Sequence, residues 1–163
     1  MEARIPDGFC EVYQMHRTLM CAELATVHKT LFPDRKEEYR PKIRGLIEEG
    51  LRLAASAYAT AREHQLQFKK AIGNYLKEFD ALLTPATPTT APSLTTTGDP
   101  IFNSPWSYSG LPTVVIPVEI AKNGLPVAVQ LVGHPFGEAD LFRVARWCER
   151  VIGFEDKPPK RTS

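Results

Sequence analysis

Cysteine is scarce, with three in 163 residues. Cys10, Cys21 and Cys148 are an odd number without zinc-type spacing, which excludes a disulfide scaffold and points to a reducing compartment. Each is read as a small buried hydrophobe. An excess of either charge is also missing: 20 Lys and Arg against 19 Asp and Glu leave a net charge of +1. Neither a nucleic-acid footprint nor a polybasic membrane patch is therefore expected. No run approaches the roughly 18 apolar residues that span a bilayer. The opening Met1-Glu2-Ala3-Arg4 leads into Pro6, Asp7 and Gly8 rather than into an apolar signal core, so the chain is read as soluble and cytoplasmic.

Other signatures are absent as well. There is no Gly-rich phosphate loop and no internal repeat, and the aromatic residues lack the basic interleaving of a nucleic-acid platform. His16, His28, His64 and His134 are scattered without metal-ligand spacing, and no second His follows Glu63-His64 at helical distance. No metal and no cofactor are expected. Spacing alone leaves a Cys-His nucleophile pair open, although nothing local resembles a nucleophile turn.

A hydrophobic share of 43% is enough for a core. The length predicts one domain over residues 1–156, helical over 9–79 and strand, loop and helix over 80–153, with a flexible tail at 157–163. Residues 11–31 carry two apolar lines at helical spacing. One is Val12, Met15, Leu19 and Ala22; the other is Met20, Leu24, Val27 and Leu31. Two lines imply neighbours on more than one side, and Phe32-Pro33-Asp34 is expected to end this helix. A second helix opens near Pro41 and is expected to bury Ile43, Leu46, Ile47 and Leu51, with Gly50 weakening its far end. A third has Ser56 as its N-cap and lines Tyr58, Ala61, Gln65, Phe68, Ile72, Tyr75, Leu76 and Phe79 on one face.

Beyond residue 80 the pattern changes. Residues 82–84 are a short strand candidate, and the Pro- and Thr-rich stretch through Thr97 is loop. Residues 113–118 and 126–132 are β-type runs, with Pro117 marking an edge or a bulge. Lys122-Asn123-Gly124 between them is a turn signal, so an antiparallel hairpin is the simplest reading. A last helix over 138–152 is expected to bury Leu141, Val144, Ala145, Cys148 and Val151, with Glu138 and Asp140 at its positive end, Arg146 and Arg150 at its negative end, and Gly153 as its stop.

Four phrases occur in fixed order: Phe79-Asp80-Ala81-Leu82-Leu83-Thr84-Pro85; Thr97-Gly98-Asp99-Pro100 with Phe102-Asn103-Ser104-Pro105-Trp106; Ser109-Gly110-Leu111-Pro112; and the run from Gly124-Leu125-Pro126 to Gln130-Leu131-Val132-Gly133. Together they resemble the C-terminal portion of the amidase signature family, amide hydrolases that include the glutamyl-tRNA amidotransferase A subunit. The resemblance implies an α/β fold, with helices followed by a mixed β-sheet segment and a terminal helix. It also implies amide C–N hydrolysis in the complete enzyme.

That family activates a Ser through a cis-peptide Ser and a Lys, in a Gly- and Ser-rich loop that also supplies oxyanion donors. No Gly-x-Ser-Ser-Gly-Gly run occurs in this sequence, so no catalytic residue is assigned to it. By carry-over, Asp99, Phe102, Asn103, Trp106 and Ser107 would line the substrate pocket, with Asp99 receiving an amide N–H and Trp106 walling a planar or apolar group. The alternative from the residues themselves is that Asp99 opens a turn and Trp106 is core. The loop departs from that amidotransferase, which has an acid directly before the Ile-Phe pair; here Pro100 stands there.

Gln130 interrupts an apolar strand and needs hydrogen-bond partners if buried, either for its own satisfaction or to orient the Asp99 loop. The partners implied are a small amide in the complete enzyme only, and either further copies of this chain or a complementary amidase N-terminal chain. A non-catalytic binding or interaction module built on the same scaffold is the alternative, and a new enzyme using Asp99, Cys148 or His134 a third.

Overall fold

The computed structural model describes residues 5–155. The tail expected at 157–163 lies outside the described residues. Contacts among these residues cluster into two compact units, 5–74 with 107–109, and 75–106 with 110–155. The length alone predicts a single domain with 9–79 and 80–153 as its parts.

The first unit is helical. It contains α1 (Val12–His28), α2 (Phe32–Arg35), a 3-10 turn (Lys36–Glu38), α3 (Pro41–Arg52) and most of α4 (Ala55–Leu76). Helix α1 buries Val12, Leu19, Cys21 and Ala25, and its close neighbour is α3. Gly50 makes that approach possible. A Cβ there would run into the Cys21 carbonyl and lie 2.7 Å from Ala25 Cβ, so the residue read as a weak point of α3 is where two backbones touch. Beside it Arg17 grips Glu49 with two bonds, Nε to Oε1 at 3.0 Å and Nη2 to Oε2 at 2.6 Å. This hydrogen-bonded guanidinium lowers the Glu49 pKa. Both side chains are well exposed, so the pair is worth at most about 1 kcal/mol.

Two expectations change here. Helix α1 stops at His28, and Pro33, instead of ending it, sits in the first turn of α2, where its missing N–H has no cost. Of the four residues expected inside α3, Ile47 alone is fully buried, while Ile43 and Leu51 are exposed. A 12-residue helix with one main neighbour needs only a narrow stripe. Helix α4 buries Ala61, Phe68 and Ile72, the helical spacing read from the sequence. Phe68 meets the ring of Phe9 edge-on at 5.9 Å.

The second unit is a small sheet with one helix. Strands β1 (Leu82–Pro85), β2 (Thr113–Ile120) and β3 (Pro126–Val132) pair antiparallel in the order β1-β3-β2, and α6 (Glu138–Ile152) follows. The β2–β3 connection is the expected tight turn. Gly124 takes φ +78°, Ala121 N bonds Leu125 O at 2.9 Å, and Asn123 Oδ1 accepts from Leu125 N at 3.2 Å. The ladder slips between Pro117 and Glu119, so Pro117 marks both an edge strand and an irregularity.

Alternation sends Ile116 and Leu131 to one face, where Leu141 and Ala145 of α6 complete a buried cluster with Val114, Val129, Val144, Cys148 and Ile152 around it. Val151, expected inside, is 66% exposed. Ile152 packs instead, one position round the helix. Gly153, at φ +63°, caps α6 as expected. Short helix α5 (Ser104–Ser109) begins in the second unit and ends in the first.

Replacing Gly50 with Ala should lower stability by about 1–3 kcal/mol through overpacking. Gly45, on the same helix with open space around its would-be Cβ, serves as the control. Ala there should be neutral or gain about 0.4–1 kcal/mol, both changes being read as shifts of the urea midpoint.

Candidate functional site

The loop that carries the expected site residues is built from turns. Asp99 Oδ1 accepts from Ile101 N at 3.0 Å, and Pro100 O accepts from the backbone N–H of Asn103 at 2.8 Å and of Ser104 at 2.7 Å. Asp99 and Asn103 are exposed, Phe102 is half-buried, and Trp106 is buried. The Asn103 side chain reaches back to Ala86 O at 3.4 Å. Asp99 thus spends one oxygen on its own turn, and Trp106 occupies a core position.

What holds the loop to the sheet is Gln130. It is 2% exposed in the middle of β3 and donates through Nε2 to Phe102 O at 3.0 Å. A longer contact, 3.4 Å, joins the same nitrogen to Thr84 Oγ1 on β1, directly across the ladder. The amide is therefore both satisfied and a tether. Just past the end of β3, His134 Nε2 lies 2.9 Å from Phe79 O.

Ser107 groups differently from the other four residues and belongs to the helical unit. Its neighbour Tyr108 is fully buried there. The phenol donates to Ala61 O at 2.9 Å and lies 2.9 Å from His64 Nδ1, while His64 Nε2 is 3.1 Å from Gly8 O. Gln65 Nε2 donates to Tyr108 O at 2.8 Å. Burial pushes the Tyr108 hydroxyl up to about 12, so it stays a neutral hydrogen-bonding group rather than a base. Gly8 adopts φ +81° with His64 Nε2 3.1 Å from where a Cβ would sit, which suits it to this position.

An open groove of about 400 Å³ runs beside this cluster, lined by Leu19, Met20, Leu24 and Val27 of α1 and by His16, Glu23, Gln65, Ser107 and Tyr108. His16 meets the Tyr108 ring edge-on at 5.9 Å. Burial lowers the His16 pKa, with the Glu23 carboxylate opposing, so the ring is neutral at pH 7. Among the described residues its nitrogens have no hydrogen-bond partner. Sequence reasoning weighs the histidines chiefly as metal ligands and misses both the His64–Tyr108 pair and the groove. The spacing of His64 and Gln65 on α4 is visible in the sequence, but nothing there marks Tyr108 as their partner 44 and 43 residues away.

This order of helices, Gly-Asp-Pro loop, hairpin and terminal helix can be set against known proteins. The amidase family model matches residues 7–142. The chain belongs to the amidase family.

The protein named as amidase AmiD in Mycobacterium tuberculosis is 31% identical over 148 residues, covering 84% of this chain and 31% of its own length. The A subunit of the glutamyl-tRNA(Gln) amidotransferase of Roseobacter denitrificans is 41% identical over 90 residues, 50% of this chain and 18% of the relative. A crystal structure described as an amidase superposes with a TM-score of 0.80 at 26% identity, covering 86% of this chain and 35% of that one. The amidase chain described here therefore spans about a third of the length of AmiD. Its α/β architecture is that of the solved amidase. Among the described residues no helix is long and apolar enough to cross a membrane.

The tether and the half-buried imidazole of this amidase chain can each be tested. Gln130→Leu removes the donor to the Phe102 carbonyl and should cost about 1–3 kcal/mol, with faster amide exchange at Ile101 confined to the loop. For His16, the folded-state pKa is depressed, so the unfolded chain binds the proton first as pH falls. Stability should then decline as pH drops below the ordinary imidazole range near about 6.5. His16→Gln should flatten that part of a melting-temperature profile measured between mildly alkaline and mildly acidic pH.

Proposed function

We propose that this chain is the C-terminal segment of an amidase-signature hydrolase. Amide C–N bonds are cleaved only in the complete enzyme, and the activated Ser, its cis-peptide Ser partner and the Lys come from sequence outside this chain. The observation that carries the reading is the family match over residues 7–142 combined with coverage of only 31% of AmiD. The sequence itself supports it, having no Gly-x-Ser-Ser-Gly-Gly run.

In the complete enzyme the loop Gly98 to Ser107 contributes to the substrate pocket. Asp99, Asn103 and Ser107 are exposed polar groups there. One carboxylate oxygen of Asp99 holds Ile101 N, which leaves the other to accept an amide N–H. Phe102 and Trp106 form the apolar backing, and Ser107 adds a hydroxyl. With Pro100 before Ile101, the acid of the amidotransferase is displaced by one residue, which argues against glutamine specificity, and the substrate is a small amide. The protein works in the cytoplasm, alongside a complementary amidase chain or further copies of itself.

The test is labelling with a serine-directed fluorophosphonate together with an amide-release assay. The isolated chain should take up no label and release no ammonia from small amides. When an amidase N-terminal chain is supplied, label should appear on that chain alone. Stoichiometric labelling of the isolated chain would refute this reading, and a chain that stays inert and binds no amidase segment would instead be a non-catalytic module.

A further inference from the structure

Gln130 stands where the packing of β3 asks for an apolar side chain. It is 2% exposed beside the buried Leu131 and Val132, and a Met or Leu of similar volume would fill the place without the cost of burying an amide. The amide is also committed to one orientation. Nε2 faces the Phe102 carbonyl at 3.0 Å and Thr84 Oγ1 at 3.4 Å, and turning the group over would set its oxygen against a carbonyl that can only accept.

The Phe102 carbonyl belongs to a block that is bonded within itself. Asp99 Oδ1 accepts from Ile101 N, and Pro100 O accepts from Asn103 N and Ser104 N, so residues 99–104 keep one shape. Among the described residues two side-chain amides fasten this block to the sheet. One is Gln130 on β3. The other is Asn103, whose Nδ2 reaches Ala86 O at 3.4 Å just past β1, where Ala86 N in turn bonds Ala128 O of β3 at 3.1 Å. The Gln130 bond is the shorter and the stronger of the two. Asp99 itself bonds only within the block, so where its second oxygen points follows from how the block is attached.

We propose that Gln130 is a positioning residue for substrate binding: through the Phe102 carbonyl it sets where the uncommitted oxygen of Asp99 is presented. This rests on the proposed function above, in which that oxygen receives an amide N–H. Gln130 touches no reacting atom, and the nucleophile and its base come from sequence outside this chain. Loss of the tether therefore weakens the capture of substrate and leaves the chemical step alone, which reads as a raised KM with kcat nearly unchanged.

The experiment assembles this chain with a supplied amidase N-terminal chain and follows ammonia release from a small amide. Gln130→Met keeps the volume and removes both donors, whereas Gln130→Glu removes them when ionised and returns one O–H donor when protonated. In the Met variant KM should rise roughly five- to tenfold, the size of one ordinary hydrogen bond, with kcat within about twofold. The Glu variant should show the same rise at mildly alkaline pH and lose it as the pH falls, relative to the unsubstituted chain at each pH. Fluorophosphonate labelling of the supplied chain needs no amide N–H and should keep its rate in both variants. Amide exchange at Ile101 in the isolated chain, compared at equal pH, reports the broken tether without turnover.

An unchanged KM in Gln130→Met, or exchange at Ile101 that stays slow, overturns the inference and leaves Gln130 a packing residue. A fall in kcat and in labelling rate together also overturns it, because Gln130 then supports the whole assembly rather than the loop. The proposed function stands in these cases. Where Gln130→Met does not assemble, the pH course of KM in Gln130→Glu decides in the same two directions. An unsubstituted assembly that neither takes up label nor releases ammonia overturns the proposed function, and the positioning role with it.

Discussion

The second unit depends on one strand. β3 is paired on both sides, and its two faces are used differently. Val129 and Leu131 turn toward α6, while Gln130 turns the other way and holds the Phe102 carbonyl. A period-two element makes both assignments at once, because moving the register by one residue would put Gln130 into the apolar cluster and Leu131 onto a carbonyl. The same pairing leaves β1 and β2 as the edges of the described sheet. Both edges carry features that limit further pairing: β1 is four residues long and ends in Pro85, and β2 carries Pro117 with a slip in its ladder.

Most of this layout is legible in the sequence because local rules and tertiary demand agree. The terminal helix is expected over 138–152 and is found there, since its acidic start, basic end, apolar stripe and terminal Gly all point to the same bounds. The Lys122-Asn123-Gly124 turn is equally plain. Where the reading fails, the deciding contact is remote in sequence. Gly50 looks like a defect within α3 until Cys21, far earlier in the chain, is brought against it. Ile43 and Leu51 fit a helical stripe, but burial depends on what faces the stripe, and α3 has one main neighbour. Val151 and Ile152 are both apolar and adjacent, so periodicity alone could not choose between them.

The site is less legible than the fold. Resemblance names five residues, and the chain's own geometry separates them by burial. Asp99 and Asn103 are displayed, Trp106 is enclosed, and Phe102 is engaged mainly through its backbone. A sequence motif records which residues occur together; it does not record which atom of each is used. The Phe102 carbonyl is a case in point, because any residue with a backbone could supply it, yet the Gln130 that binds it is identifiable as a polar intrusion in an apolar strand.

The packed scaffold and the displayed loop rest on different parts of this chain. The scaffold is set by close packing and satisfied buried groups: the Gly50 approach, the buried Tyr108 hydroxyl, the Gln130 tether and the α6 cluster. Such interactions hold a backbone in place at 26% identity to the solved amidase, with a TM-score of 0.80. Asp99 and Asn103 are displayed on the turn-built loop, where a substitution changes the exposed chemistry without touching a packed element. Because Asp99 has already committed one oxygen to its own turn, the loop offers a single directed acceptor rather than a two-pronged carboxylate.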